Sequence, residues 1–475
     1  MRRLLIVGLL LLVGLGGCAD KRAEQAKALE AELKAKLAEA APVNGAPGLQ
    51  FETLALTPAD KEADGFQGKI TGLVLVFGEA EKIPLGEASF TLKPEGDDLR
   101  HYSDLKLPET IAAKFQDGTE FSLKLAGFGG TATWSNAYSN WVAADLAVGA
   151  IEFAAPAEKL TLTAEGAGYT LASKDGAEGR VDQTSSFTAS KIAFDSPKAS
   201  GTAGKITGDF SVTGAKMAEL AKLNADYRKA IVAKDMAALG EVLGKMTHAL
   251  GGFEARFAAE DTVQKDPAAN ESFALASSSF TVGIGGLDSP QSNIRVGFDF
   301  GGLGFTEPTD PNDDMGMLLP TAVRLNLAFA KVPTDTLIEL AATSASEVGG
   351  DSADALQLAG MMFMVGLQGA LAEAGTELQI ADSLIRTADA ETSLAGLLTM
   401  DPNAAMGATG TVELKVAGFD KLALRVERLA SPELADWLRQ VAKEETAADG
   451  SKLAIFELAL VPDGSITVNG QPMPQ

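Results

Sequence analysis

The spacing of apolar residues changes several times along the chain, and each change predicts a different element. Leu4 to Leu15 is an unbroken apolar run. At about a dozen residues it is too short to span a bilayer as a helix, which takes roughly 20. From Asp20 to Ala41 the composition turns to Ala, Glu, Lys and Leu. Leu29, Leu33 and Leu37 fall on one narrow stripe, with Glu30/Lys34 and Glu32/Lys36 at the helical i,i+4 spacing. Too few heptads are present for a coiled coil, so the pattern predicts a solvated stalk helix of about 30 Å at 1.5 Å per residue. Pro42, Asn44, Gly45 and Pro47 end it in a linker.

From 49 to 213 the period becomes two, as in Phe121-Ser122-Leu123-Lys124-Leu125 and Leu160-Thr161-Leu162-Thr163. Gly, Asp and Asn punctuate these runs at the spacing of hairpins in an antiparallel sheet. Turn pairs such as Asp117-Gly118 and Asp175-Gly176 suit tight connections. Helical spacing returns over Met217, Leu220, Leu223 and Tyr227 and again over Met236, Leu239, Leu243 and Met246, which read as core-facing positions of two helices. Strands resume over 272–305 and at Val323, Leu325, Leu327 and Phe329. Helices are expected between Thr334 and Met400, and strands again at 412–416 and 453–468.

The expected fold is α+β, an extended antiparallel β-rich body with inserted helices, preceded by a signal peptide and a helical stalk. Its expected parts are a signal (1–17), a lipidated N-terminus with stalk and linker (18–48), a β-rich domain (49–213), a helical insertion (214–270) and a mixed domain (271–475). No strand–helix–strand rhythm favours a Rossmann-type fold. Lys124-Leu125-Ala126-Gly127-Phe128 is echoed by Lys415-Val416-Ala417-Gly418-Phe419, which predicts similar strand-to-turn geometry at the two places.

One late segment departs from simple amphipathicity. Ala355 to Ala372 carries Leu356, Leu358, Met361, Met362, Phe363, Met364, Val365, Leu367 and Leu371, with Gln357 and Gln368 as its polar side chains. Apolar all round, it predicts a buried core helix in preference to a lipid-facing one.

The N-terminus adds a localisation. Arg2 and Arg3 precede the apolar run, and small residues lead to Cys18, the sole cysteine. That is the order of a secretory signal. The string Leu15-Gly16-Gly17-Cys18 resembles a lipobox, the processing site of bacterial lipoproteins. The resemblance implies cleavage before Cys18 and lipid on its sulfur, with two or more acyl chains giving stable anchoring. Ala19 stands where an aspartate would signal inner-membrane retention in enterobacterial lipoproteins, so the expected site is the outer membrane facing the periplasm.

Charge narrows the partners. The 475 residues carry a net −24, or about −26 after removal of Arg2 and Arg3. Such a balance argues against nucleic acid, whose binding needs basic surface, and leaves the membrane, through Cys18, with a lipid or an envelope protein as expected partners.

Candidate chemistry is sparse. His101 and His248, the two histidines, lie far apart in the chain and read as structural or surface residues. With Cys18 given to lipid, a Cys/His zinc site is not expected, and no Gly-x-Ser-x-Gly elbow is present. The loop Glu307 to Gly316 fails the EF-hand pattern, because counting from Asp310 puts Gly316 seventh and Thr321 twelfth. Trp134-Ser135-Asn136-Ala137-Tyr138-Ser139-Asn140-Trp141 reads as aromatic packing across a hairpin, with stacking on a sugar as the alternative. No catalytic residue, cofactor or metal is assigned.

Finally, Leu453 to Val461 and the following Pro462-Asp463-Gly464-Ser465-Ile466-Thr467-Val468-Asn469-Gly470-Gln471-Pro472, with Leu319 to Leu340, resemble the YdgA-like family of bacterial envelope proteins. The resemblance implies an elongated β-rich envelope protein without an established activity. Two functions stay open: a non-enzymatic scaffold or apolar-ligand-binding lipoprotein, and an envelope glycan or lipid hydrolase using carboxylates or a serine.

Overall fold

The computed structural model describes residues 21–38, 41–42, 48–61, 65–77, 81–115, 118–233, 235–266, 271–305, 314–348, 353–430, 432–447 and 450–473. The signal segment and Cys18 lie outside the described residues, as do Asp117 and most of the acidic loop 307–316. The chain divides into two compact units, 1–173 with 194–197, and 174–193 with 198–475.

Among the described residues, the first element of the first unit is helix α1, described over 21–38. Its strands are β1 (Gly48–Gln50), β2 (Thr53–Pro58), β3 (Phe66–Phe77), β4 (Glu81–Glu95), β5 (Leu99–Lys106) and β6 (Thr110–Lys114). They continue with β7 (Glu120–Ala126), β8 (Gly129–Ser135), β9 (Asn140–Val148), β10 (Ala150–Ala155), β11 (Leu160–Ala164) and β12 (Gly166–Asp175). All pair antiparallel: β1 and β2 share β3, which leads through β4 and β5 to β8, β9 and β12. A side branch runs β6–β7–β10–β11. Alternation of period two puts Phe66, Ile70, Phe90 and Leu92 on one face, where they form the core with Ala26 and Leu29 of α1.

That contact corrects the expectation for α1. The helix forms as its composition predicts, with Lys34 and Glu30 paired at 2.6 Å, but it is docked on the sheet and is not a solvated stalk. The narrow stripe Ala26, Leu29, Leu33, Leu37 is the docking face. A stripe only one residue wide fits the shallow face of a twisted sheet as well as it fits a partner helix.

The second unit holds β13 (Val181–Asp195), β14 (Ser200–Ala215), α2 (Met217–Ala233), α3 (Met236–His248), β15 (Gly252–Asp266), β16 (Glu271–Gly285), β17 (Gln291–Gly301) and β18 (Gly304–Phe305). After α4 (Asp314–Leu318) come β19 (Ala322–Pro333), α5 (Thr334–Val348), α6 (Ala353–Glu373), β20 (Glu377–Arg386), β21 (Glu391–Met400) and β22 (Ala408–Ala417). The chain closes with α7 (Phe419–Leu429), α8 (Pro432–Val441), β23 (Lys443–Thr446), β24 (Lys452–Leu460), β25 (Ile466–Val468) and β26 (Gln471–Pro472).

The fold class is therefore α+β with an antiparallel, β-rich body. Three local expectations change. Residues 252–266, inside the expected helical insertion, are strand β15: Phe253, Ala255, Phe257 and Ala259 alternate, but the small alanines hide the period. Residues 377–400, expected within a helical stretch, are the hairpin β20–β21. The division between units falls near 173, so β14 belongs with the second unit and not with a domain ending at 213.

Strands β14, β15, β16, β17 and β19 pair in that order, and the registers Phe257↔Phe280, Phe280↔Phe298 and Phe298↔Leu325 line one face with an apolar ladder. At the far edge, α7 and α8 cover Val416, Ala454 and Phe456. The echoed pentapeptides share their turn geometry, for Gly127 and Gly418 both take left-handed backbone at φ 67° and 76°. Strand β8 follows the first and helix α7 the second.

Helix α6 overturns the buried-helix expectation. Met361, Met364 and Val365 are 59, 62 and 77% exposed. Its contact with α5 is made at Gly366, where an added Cβ would sit 2.5 Å from the Leu340 side chain. Ala370 and Ala372 are buried and Phe363 and Leu367 half-buried, while Met361, Met364 and Val365 face outward.

Candidate functional site

The first unit contains an apolar cleft of about 420 Å³ between the C-terminal half of α1 and the sheet. Leu33 and Leu37 form its helical wall, and Leu54, Ile70, Phe90 and Leu105 its floor. Both elements contribute because their alternations converge: every fourth residue of α1 meets every second residue of β3 and β4.

An aromatic chain lines one side. Phe90 and Tyr102 lie 5.5 Å apart, Tyr102 and Trp141 5.3 Å, and Trp141 and Trp134 5.4 Å with their planes near perpendicular. The last pair is directly cross-strand on β8 and β9, beside an irregularity between Thr133 and Trp134, the kind of bulge that re-aims a side chain. The Trp134 to Trp141 segment thus packs across a hairpin as expected, and its rings are also cleft wall. Trp141 remains 40% exposed.

A polar clamp holds α1 to this wall. The buried Arg100 donates from Nε to Glu32 Oε1 at 3.2 Å and from Nη2 to Glu32 Oε2 at 3.1 Å. Asn136 Nδ2 donates to the same carboxylate at 2.9 Å. Burial alone would raise the Glu32 pKa, but these hydrogen bonds and the charges of Arg100 and Lys36 outweigh it and hold the carboxyl below its ordinary value. Asp98 orders the adjoining turn, accepting from the fully buried Ser135 Oγ at 2.9 Å and from the Ala137 amide at 2.6 Å. At the start of α1, Arg22 donates to the carbonyls of Ala59 and Gly65, each at 3.0 Å.

Tyr102 has its pKa pushed up to about 12, first by burial and then by the charge of Glu32. Its hydroxyl is therefore neutral at physiological pH. Lys36 reaches over the wall, its Nζ 5.9 Å from the Trp134 ring centre and 3.4 Å from Ser139 Oγ. Lys106 also borders the cleft.

The other candidates fall elsewhere. His101 lies near this region, but its ring bonds Thr133 Oγ1 at 3.0 Å and Glu95 Oε2 at 2.7 Å and does not line the cleft. His248 is in the second unit, 3.0 Å from Asp335 Oδ1. Among the described residues no group of three or more His, Cys, Asp or Glu could hold a metal, and no helix is long and apolar enough to cross a membrane.

No family model, curated protein or solved structure matches this chain. The site has to be read from its own geometry. Sequence reasoning found the tryptophans and the α1 stripe separately but missed that they enclose one space, and it missed Arg100 entirely. The spacing of Glu32 from Arg100, 68 residues, leaves no local signal of that pair.

Proposed function

We propose that this chain is a bacterial envelope lipoprotein, anchored through Cys18, that binds an apolar ligand in the cleft beneath α1 without performing chemistry on it. The observation that carries this reading is the cleft itself, a space of about 420 Å³ walled by aliphatic and aromatic side chains, within the roughly 300–1,000 Å³ range of small-molecule sites. Glu32 is committed to Arg100 and Asn136 and Tyr102 keeps its proton, so neither is poised as a base. The YdgA-like resemblance fits the same setting.

Docking of α1 changes what the anchor does. Ala19 and Asp20 lie between Cys18 and residue 21, where the described part of α1 starts. Three residue steps reach at most about 11 Å. Lipid on Cys18 therefore brings the first unit close to the headgroups, in place of a body held off by a stalk.

The test is mass spectrometry of the full chain purified gently from membranes. The expected result is a diacylglycerol-modified N-terminal peptide beginning at Cys18, together with a copurifying lipid that is lost on Trp141→Ala. An unmodified Cys18 would remove the anchor. Absence of bound lipid, combined with labelling by an activity-based serine probe, would favour the hydrolase instead.

A further inference from the structure

A polar atom on the cleft wall that its own surroundings leave unused narrows the ligand class, an inference that rests on the apolar-binding reading above. We propose that the ligand is a neutral lipid, its hydrocarbon among Leu33, Leu54, Ile70 and Phe90 and an uncharged hydroxyl or carbonyl oxygen hydrogen-bonded to the hydroxyl of Tyr102.

Small-molecule pockets combine apolar walls with a few polar groups that fix the ligand's orientation. Several polar side chains around this cleft are already engaged. Glu32 accepts from Arg100 and Asn136, the Trp134 indole donates to Asn136 Oδ1 at 3.1 Å, and Lys36 Nζ lies 3.4 Å from Ser139 Oγ. Ser89 and Lys106 are register partners between β4 and β5. They alternate with the inward-facing Phe90 and Leu105, which puts their side chains on the other face of the sheet. Tyr102 differs. Its ring lies between Phe90 and Trp141 and lines the cleft, yet among the described residues no group hydrogen-bonds its hydroxyl.

Burial pushes the pKa of this hydroxyl up to about 12, so it enters binding as a neutral group able both to donate and to accept. A buried hydroxyl without a partner forfeits its solvation. Water entering the free cleft can serve it, whereas a plain hydrocarbon that displaces the water cannot. A ligand oxygen at this point restores the bond, accepting the phenol proton or donating to the phenol oxygen. The ligand group is uncharged because the local field does not favour an anion: the Glu32 charge acts on the hydroxyl ahead of the opposing Arg100. An ion of either sign would also lose its hydration there, beside a Glu32–Arg100 pair that is already complete.

Trp134 and Trp141 supply the readout. In the full mature chain carrying Trp437→Phe, the remaining tryptophans both line the cleft, and bromine atoms on a bound chain would quench them. The expected result is quenching by dibromododecanol at about tenfold lower concentration than by the matching dibromododecane, the worth of one buried hydrogen bond. Tyr102→Phe should bring that ratio close to one and leave the urea midpoint of the free chain unchanged, since no protein partner of the hydroxyl is lost. Equal affinity for alcohol and alkane, a ratio that persists in Tyr102→Phe, or a lowered midpoint in that variant would overturn the assignment to Tyr102 and leave the apolar cleft intact. Tighter binding of the matching carboxylate than of the alcohol would overturn the neutral class. Quenching by none of the three compounds would overturn the cleft reading as well.

Discussion

Helices α1 and α6 are of similar length, and each occupies the environment that the other's composition suggests. Helix α1, rich in Glu and Lys, buries Ala26 and Leu29 in the core of the first unit. Helix α6, apolar almost throughout, leaves Met361, Met364 and Val365 exposed. The difference lies in the partner surface. A sheet face with Phe66, Ile70, Phe90 and Leu92 aligned on it accepts a one-residue-wide stripe, and the polar flanks of α1 then find specific partners in Arg100, Asn136 and the Leu56 amide. Helix α6 meets α5 through Gly366 and has no described surface over its methionines. Composition therefore reports what a helix can bury, and topology decides what it does bury.

The largest effect should come from the docking stripe. Leu29→Ala removes a side chain that is 6% exposed and should cost about 3 kcal/mol, within the range for Leu-to-Ala changes in cores, measured as a shift of the urea midpoint. Arg100→Met should follow at about 2 kcal/mol, less than for a fully buried pair because the Glu32 side chain keeps 30% of its exposure. Glu32→Gln with Arg100→Met should recover part of that loss, since no carboxylate is then left without its partner.

The clamp also sets a pH dependence. The Glu32 carboxyl is held below its ordinary value of 4.5 in the folded chain. Its contribution is therefore complete above pH 4.5 and is lost as pH falls through the lower folded value. Partial exposure makes the contribution modest. Unfolding curves of the parent and Glu32→Gln should converge as the pH drops below 4.5 and separate above it. At the alkaline end, Tyr102 should ionise near pH 12, an absorbance step missing in Tyr102→Phe. Because its folded value is raised, the associated stability is intact below pH 10 and declines from there towards 12.

The smallest effect is expected on α6. Met364→Ser alters a residue that is 62% exposed and should change stability by no more than about 0.5 kcal/mol. A loss several times larger would mean that its methionine face is covered in solution, and the contrast with α1 would fail.

Much of this fold is legible in the sequence because period-two alternation survives wherever the inward residues are large. Phe121-Ser122-Leu123 and Ile294-Arg295-Val296 announce β7 and β17. It is obscured where alanines interrupt the alternating phenylalanines, as Ala255 and Ala259 do in β15, and where strands follow a long helix, as β20 and β21 do after α6. The site was half legible. Its aromatic wall lies in one short segment around Trp134 and Trp141, whereas its helical wall and the Glu32–Arg100 clamp are brought together only by the fold. The proposed lipidation of Cys18 rests on the Leu15–Cys18 string alone.

Everything proposed for the cleft depends on α1 being part of the first unit. Hydrogen exchange of the mature, full-length chain measures this directly. Amides of residues 26–37 should exchange slowly, in step with those of β3 and β4. Exchange of α1 at the rate of an isolated helix, while β3 and β4 stay protected, would restore the solvated stalk and remove the cleft.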